Sequence, residues 1–161
     1  MLTQRIEFPV TLSDDHKYTV VGYLSTQAGG GRGPLKSRTL QVVVHGGTYD
    51  HEYWDASTLH GVDYSYARHM AERGYAVLAL DMLGTGESSQ PPGDFVNLAE
   101  SSGAIAQILA QVREPGHPCA HTFDKVALIG HSIGTITSIY TLGRHGPLVD
   151  ALVATGWAHV P

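Results

Sequence analysis

The feature that most constrains this chain is an alternation. Residues 40–44 (LQVVV), 75–80 (YAVLAL), 125–129 (KVALI) and 151–154 (ALVA) are short apolar runs, and the stretches between them carry helical spacing. Apolar runs this short, bounded by turn residues, suit strands buried on both faces. Residues 63–73 fit a helix stopped by Gly74, a residue that readily ends one. In residues 97–112, Leu98, Ile105, Leu109 and Val112 recur at spacings of seven, four and three, as on one helical face. Residues 135–142 supply a third helix. This order predicts an α/β fold, with a mostly parallel sheet and helices on both faces. Upstream, residues 5–10 and 18–25 are short, β-branched and aromatic, and the polar turn 13–16 (SDDH) joins them into an N-terminal β hairpin at the sheet edge. The glycine-rich stretch 28–34 (AGGGRGP) reads as a loop.

Composition narrows the function classes. At 161 residues and 42% apolar content, the chain suits a single domain with a real core. Its formal charge is −5, Lys and Arg together number 10, and no basic run occurs, so a nucleic-acid partner is not expected. No apolar stretch approaches the roughly 18 residues of a membrane span. The start, MLTQRIEFPV, lacks a charged segment leading into an apolar one, so no signal peptide is expected and the location reads as cytoplasmic. One cysteine, Cys119, cannot form an internal disulfide. Ten histidines are scattered and no Cys-x-x-Cys pair occurs, so neither a metal site nor a cofactor is expected.

Three short motifs follow three of the apolar runs. The run 126–129 enters Gly130-His131-Ser132-Ile133-Gly134, with a helix-like run behind it. A Gly-x-Ser-x-Gly between strand and helix can hold its serine on a sharp turn with the hydroxyl projecting, while the glycines let strand and helix approach. The competing reading makes Ser132 a helix cap. The run 40–44 ends in His45-Gly46-Gly47-Thr48. A serine nucleophile needs fixed backbone N–H donors for the oxyanion of its tetrahedral intermediate. Ile133, after the serine, supplies one, and Gly47 or Thr48 the other. His45 itself reads as a satisfied core histidine. The run 75–80 ends in Asp81-Met82-Leu83-Gly84-Thr85-Gly86-Glu87-Ser88, which fits no phosphate-binding pattern. There Asp81 is expected to tie down its own loop. Finally, the loop 49–59 (YDHEYWDASTL) offers Tyr49, Tyr53 and Trp54 as candidate pocket lining for a medium-sized apolar or aromatic acyl group. The alternative is that Tyr53 and Trp54 anchor this loop on the core.

Taken in this order, HGGT, DMLGTGES and GHSIG resemble the α/β-hydrolase family, over nearly the whole chain from about residue 5 to 154. The resemblance implies Ser132 as nucleophile, with Ile133 and Gly47 or Thr48 as the oxyanion hole. A serine at this position, in place of an aspartate, argues against the dehalogenase and epoxide-hydrolase branches. It favours acyl chemistry on an ester-like small molecule: hydrolysis of an ester, thioester or lactone, or C–C bond cleavage of a diketone-type substrate. Lyase, cyclase or cofactor-independent oxygenase chemistry on the same fold, or a non-catalytic scaffold role, are the alternatives.

The family's triad runs serine, then acid, then histidine. Downstream of Ser132 stand only Asp150, His145 and His159. Asp150 falls at the entrance of the last strand, opposite the serine. His145 lies roughly 15–20 Å along the intervening helix. His159 lies on the correct side but lacks an acid in the expected order. Residues 1–161 are therefore expected to be the N-terminal half of the fold, an incomplete core ending where a cap domain would begin, and a complementary C-terminal chain or segment is expected to carry the acid and the histidine.

Overall fold

The computed structural model describes residues 1–27, 38–56, 58–117 and 123–157. The glycine-rich stretch 28–34, Cys119 and His159 lie outside the described residues. Strands β1 (Leu2–Thr11) and β2 (Lys17–Thr26) form the expected antiparallel hairpin. The alternating part follows as β3 (Thr39–Val44), α1 (Tyr66–Glu72), β4 (Ala76–Asp81), α2 (Leu98–Gln111), β5 (Lys125–His131), α3 (Ile133–His145) and β6 (Ala151–Thr155). A single 3₁₀ turn at His51–Tyr53 interrupts the loop after β3.

The six strands form one sheet in the order β1-β2-β4-β3-β5-β6. β2 pairs antiparallel with β4, whereas β4, β3, β5 and β6 run parallel. The chain leaves β3 toward β4 on one side and reaches β5 on the other, so the sheet reverses its winding at β3. In open α/β sheets, ligand sites form beyond the carboxyl ends of the strands at such a reversal.

Period-two alternation sorts the buried strand residues onto two faces. Val42, Val44, Leu78, Leu80 and Leu128 join Phe8, Ile105, Ile108 and Leu109 of α2 in the larger core. Val43, Val77, Ala79 and Ile129 point the other way, onto Trp54, Ala67 and the flank of α1. Helices α1 and α2 each start where a side chain accepts their orphan N–H groups. Asn97 Oδ1 takes the Ala99 and Glu100 amides at 2.9 and 3.1 Å, and Ser65 Oγ takes that of Arg68 at 2.9 Å. The α1 boundary moves from 63 to Tyr66 because Asp63 stays outside the helix, accepting from the Ser65 amide and from Arg68.

β6 differs from the other parallel strands. Leu152 and Val153, which face opposite sides of the sheet, are 37% and 42% exposed. Ile136, Ile139 and Tyr140 on α3 are exposed too, so apolar surface continues from the helix toward the sheet edge. Among the described residues, no helix is long and apolar enough to cross a membrane.

Candidate active site

β3 and β5 are neighbours in register, with Val44 opposite Gly130. The HGGT loop and the GHSIG turn therefore leave the same end of the sheet side by side, although the chain visits β4 and two helices between them. Ser132 sits between the last residue of β5 and the first of α3, at φ 55° and ψ −119°. Holding a non-glycine residue there costs about 1–3 kcal/mol, a strain that persists only where the surroundings enforce it. Ser132 stands at the N-cap position of α3, but its hydroxyl makes no bond to the helix N-terminus, so its side chain does not cap the helix.

The enforcing contacts are specific. A Cβ on Gly130 would fall 2.5 Å from the Gly134 carbonyl oxygen and the Thr135 nitrogen. One on Gly134 would fall 2.4 Å from the His45 carbonyl oxygen and 2.5 Å from that of Val44. Both positions exclude a side chain because α3 starts directly against β3 and β5. On the open side the Ser132 N–H donates to the Thr155 carbonyl at 3.0 Å. The same carbonyl accepts the Thr135 hydroxyl at 2.8 Å, and the Thr155 hydroxyl donates to the Gly130 carbonyl at 2.8 Å. Thr155 thus clasps the turn from β6. Its role has no signal in the sequence, because it depends on His131 and Thr155 being partners across two parallel strands.

Gly47, Thr48 and Ile133, the expected oxyanion-hole residues, come together here. With Gly46, Gly134, Ser101 and Thr137 they line a cleft of about 130 Å³. Thr48 takes a left-handed backbone at φ 66°. The first amides of α3 lack acceptors within the helix, and that helix end favours negative charge.

His45 is 4% exposed, and both of its ring nitrogens are hydrogen-bonded. Its Nε2 accepts the Met82 N–H at 3.2 Å, so its Nδ1–H donates to the Gly46 carbonyl at 2.7 Å. Burial depresses its pKa below the ordinary histidine value. Asp81 is fully buried. Its Oδ1 accepts the backbone N–H and the ring Nδ1–H of His51, both at 2.8 Å, and its Oδ2 accepts the Glu87 N–H at 2.8 Å. It thereby ties the loop after β3 to the loop after β4. Burial pushes the Asp81 carboxyl up, but these bonds outweigh it and hold its pKa below the usual value. Burial likewise pulls His51 down, while its bond to Asp81 and that residue's charge raise it overall.

Among the described residues, Asp50, His51 and Asp81 bring potential metal-ligand atoms within 4.8 Å of one another. Their hydrogen bonds already account for the arrangement: Asp81 is saturated as above, and Asp50 accepts the Glu52 N–H at 2.9 Å. One His-x-x-x-His spacing exists, between His117 and His121. His121 lies outside the described residues, and the His117 ring stacks on Phe8 at 5.1 Å.

The three aromatic residues of the loop after β3 divide. Tyr49 and Tyr53 line a surface cleft beside Thr48. Trp54 is 7% exposed and packs inward with the smaller core, so it anchors the loop and does not line the cleft. Its ring meets Tyr53 edge-on at 5.1 Å. Tyr53 in turn stacks on His131 at 4.6 Å, which sets the aromatic pair next to Ser132.

No described carboxylate or imidazole hydrogen-bonds the Ser132 hydroxyl. Asp150 accepts the Val126 N–H at 2.7 Å and pairs with Arg113 at 3.1 Å, at the opposite end of β5. His145 closes the far end of α3, about 20 Å away by helical rise.

A family model described as alpha/beta hydrolase fold matches residues 42–159. A search of curated proteins finds no match. Among solved structures, an epoxide hydrolase from Vigna radiata is 15% identical with a TM-score of 0.65, covering 98% of this chain and 40% of its own. An alpha/beta hydrolase from a Penicillium species is 18% identical with a TM-score of 0.68, at 96% and 45% coverage. An esterase from Exiguobacterium antarcticum is 18% identical with a TM-score of 0.57, at 93% and 44%. The chain therefore spans less than half the length of these structures. With the sharp turn, the glycine loop and the family match coinciding, the chain belongs to the α/β-hydrolase fold family.

Proposed function

We propose that this chain carries the nucleophile and oxyanion hole of a serine hydrolase acting on an ester-like small molecule, whether ester, thioester or lactone. The observation that carries the reading is Ser132 itself: a strained backbone at φ 55°, an uncapped hydroxyl, and a position beside the Gly46-Gly47 loop. Nothing in the packing needs a strained serine there, since glycine would adopt this backbone at no steric cost. In the reaction the Ser132 oxygen attacks the acyl carbon while an imidazole takes its proton. The N–H of Ile133 and that of Gly47 or Thr48 hold the oxyanion. The proton passes to the leaving alkoxide or thiolate, and water releases the acid from the acyl-enzyme.

The imidazole and its acid belong to a complementary C-terminal segment. Exposed Leu152 and Val153 on β6, with Ile136, Ile139 and Tyr140 on α3, support this reading, since parallel strands are ordinarily covered on both faces. Labelling with a fluorophosphonate in cell extract, followed by peptide mapping, tests the nucleophile. An adduct on Ser132, lost in Ser132→Ala, is expected; a fully active protein with no adduct there would overturn the reading. Native size tests the complement: a lone, stable 17 kDa monomer with full esterase activity would exclude it.

A further inference from the structure

The cleft beside Thr48 is not purely aromatic. Tyr49, Tyr53 and Tyr64 share its wall with Asp50 and Glu52, around about 580 Å³ of open space. None of the described lining residues is basic. Tyr49 and Tyr53 form a tilted pair with ring centroids 5.1 Å apart, and Tyr64 is 60% exposed. The backbone fixes one of the two carboxylates: Asp50 opens the 3₁₀ turn by accepting the Glu52 N–H, which sets the exposed Glu52 side chain two residues on. An apolar acyl group gains nothing from two carboxylates, and desolvating them against it is unfavourable. Electron-rich ring faces with anionic neighbours suit a different ligand, a cation whose shell can be partly replaced by aromatic surface.

We propose that this cleft binds an alkylated ammonium group, with the tyrosine rings against its methyl or methylene groups and Asp50 and Glu52 supplying the countercharge. Two of the cleft's rings also lie beside the turn that carries Ser132. Tyr53 stacks on His131, and a Cβ built on Gly46 would lie 3.3 Å from both the Tyr49 ring and the Ser132 Cβ. A substrate anchored here by its ammonium end would lay its neutral end toward Ser132. The substrate role rests on the nucleophile reading above; the binding itself does not. The chain's formal charge of −5 adds a general attraction for such a cation.

The test compares choline with 3,3-dimethyl-1-butanol, its uncharged carbon isostere, in titrations of the isotope-labelled protein followed by NMR. Choline should move the ring resonances of Tyr49, Tyr53 and Tyr64 saturably, bind about tenfold more tightly than the isostere, and weaken as salt is added. Glu52→Gln and Tyr64→Leu, both on exposed side chains, should each weaken choline by about threefold or more and leave the isostere unchanged. Ser132→Ala should bind choline as the parent does, which separates this site from the nucleophile assignment. Equal affinity for the two probes, shifts confined to other residues, or choline binding indifferent to Glu52→Gln would overturn the proposal.

Discussion

The Ser132 N–H donates to the carbonyl of Thr155, 3.0 Å away on the neighbouring strand. A turn that would otherwise relax is held by the edge strand β6, and the Thr155 hydroxyl adds a 2.8 Å bond to Gly130 on the near side of the same turn. Replacing Thr155 with valine keeps the shape and the carbonyl but removes that hydroxyl. We expect a stability loss of about 1 kcal/mol in urea unfolding. Fluorophosphonate labelling of Ser132 should slow as well; an unchanged rate would show that the clasp does not position the turn.

Ser132→Gly should stabilise the fold while abolishing any adduct. Relief of a strained φ is worth about 1–3 kcal/mol, against about 0.5–1 kcal/mol for the extra freedom of glycine in the unfolded chain. A net gain of about 1 kcal/mol in chemical denaturation is the expected outcome. A loss of stability would mean that the backbone at φ 55° is not strained.

Gly134→Ala makes the opposite case. Its new Cβ would sit 2.4 Å from the His45 carbonyl oxygen, a backbone atom that can yield only by displacing the HGGT loop. A cost of about 1–3 kcal/mol or more is expected. Thermal unfolding of this variant beside Gly143→Ala, which meets nothing within 4 Å, checks it.

The pair of His51 and Asp81 makes stability depend on pH in two windows. His51 titrates higher in the folded chain than its ordinary 6.5, so its contribution is full below that value and fades as pH rises through the raised folded pKa. Asp81 titrates below its ordinary 3.8, so its contribution is present above that value and is lost as pH falls through the lowered folded pKa. Unfolding free energy measured from pH 4 to 9 should decline on the alkaline side in the parent and flatten there in His51→Gln. Equal alkaline slopes in the two proteins would remove His51 as the source.

Much of this was legible in the sequence because it is written in local pattern. The apolar runs became strands, Gly74 ended α1, and the glycines around Ser132 stand where no side chain fits. Trp54 was ambiguous because loop composition cannot say which way a ring turns; the space between β3, β4 and α1 drew it inward. The Asp50 and Glu52 carboxylates were visible as letters, but their place in one cleft with Tyr64 depends on how the loop folds back. His51 was passed over because its partner, Asp81, lies thirty residues away at the end of β4.

The sequence by itself determined the elements, their order and the sharp turn at Ser132, since periodicity, caps and glycine spacing act over a few residues. Strand order was decided only in the tertiary structure. β5 lies between β3 and β6, and that placement brings Gly46 against one side of Ser132 and Thr155 to the other. The physical reason is that pairing between distant strands depends on burying both sheet faces at once, a condition no short stretch of sequence contains.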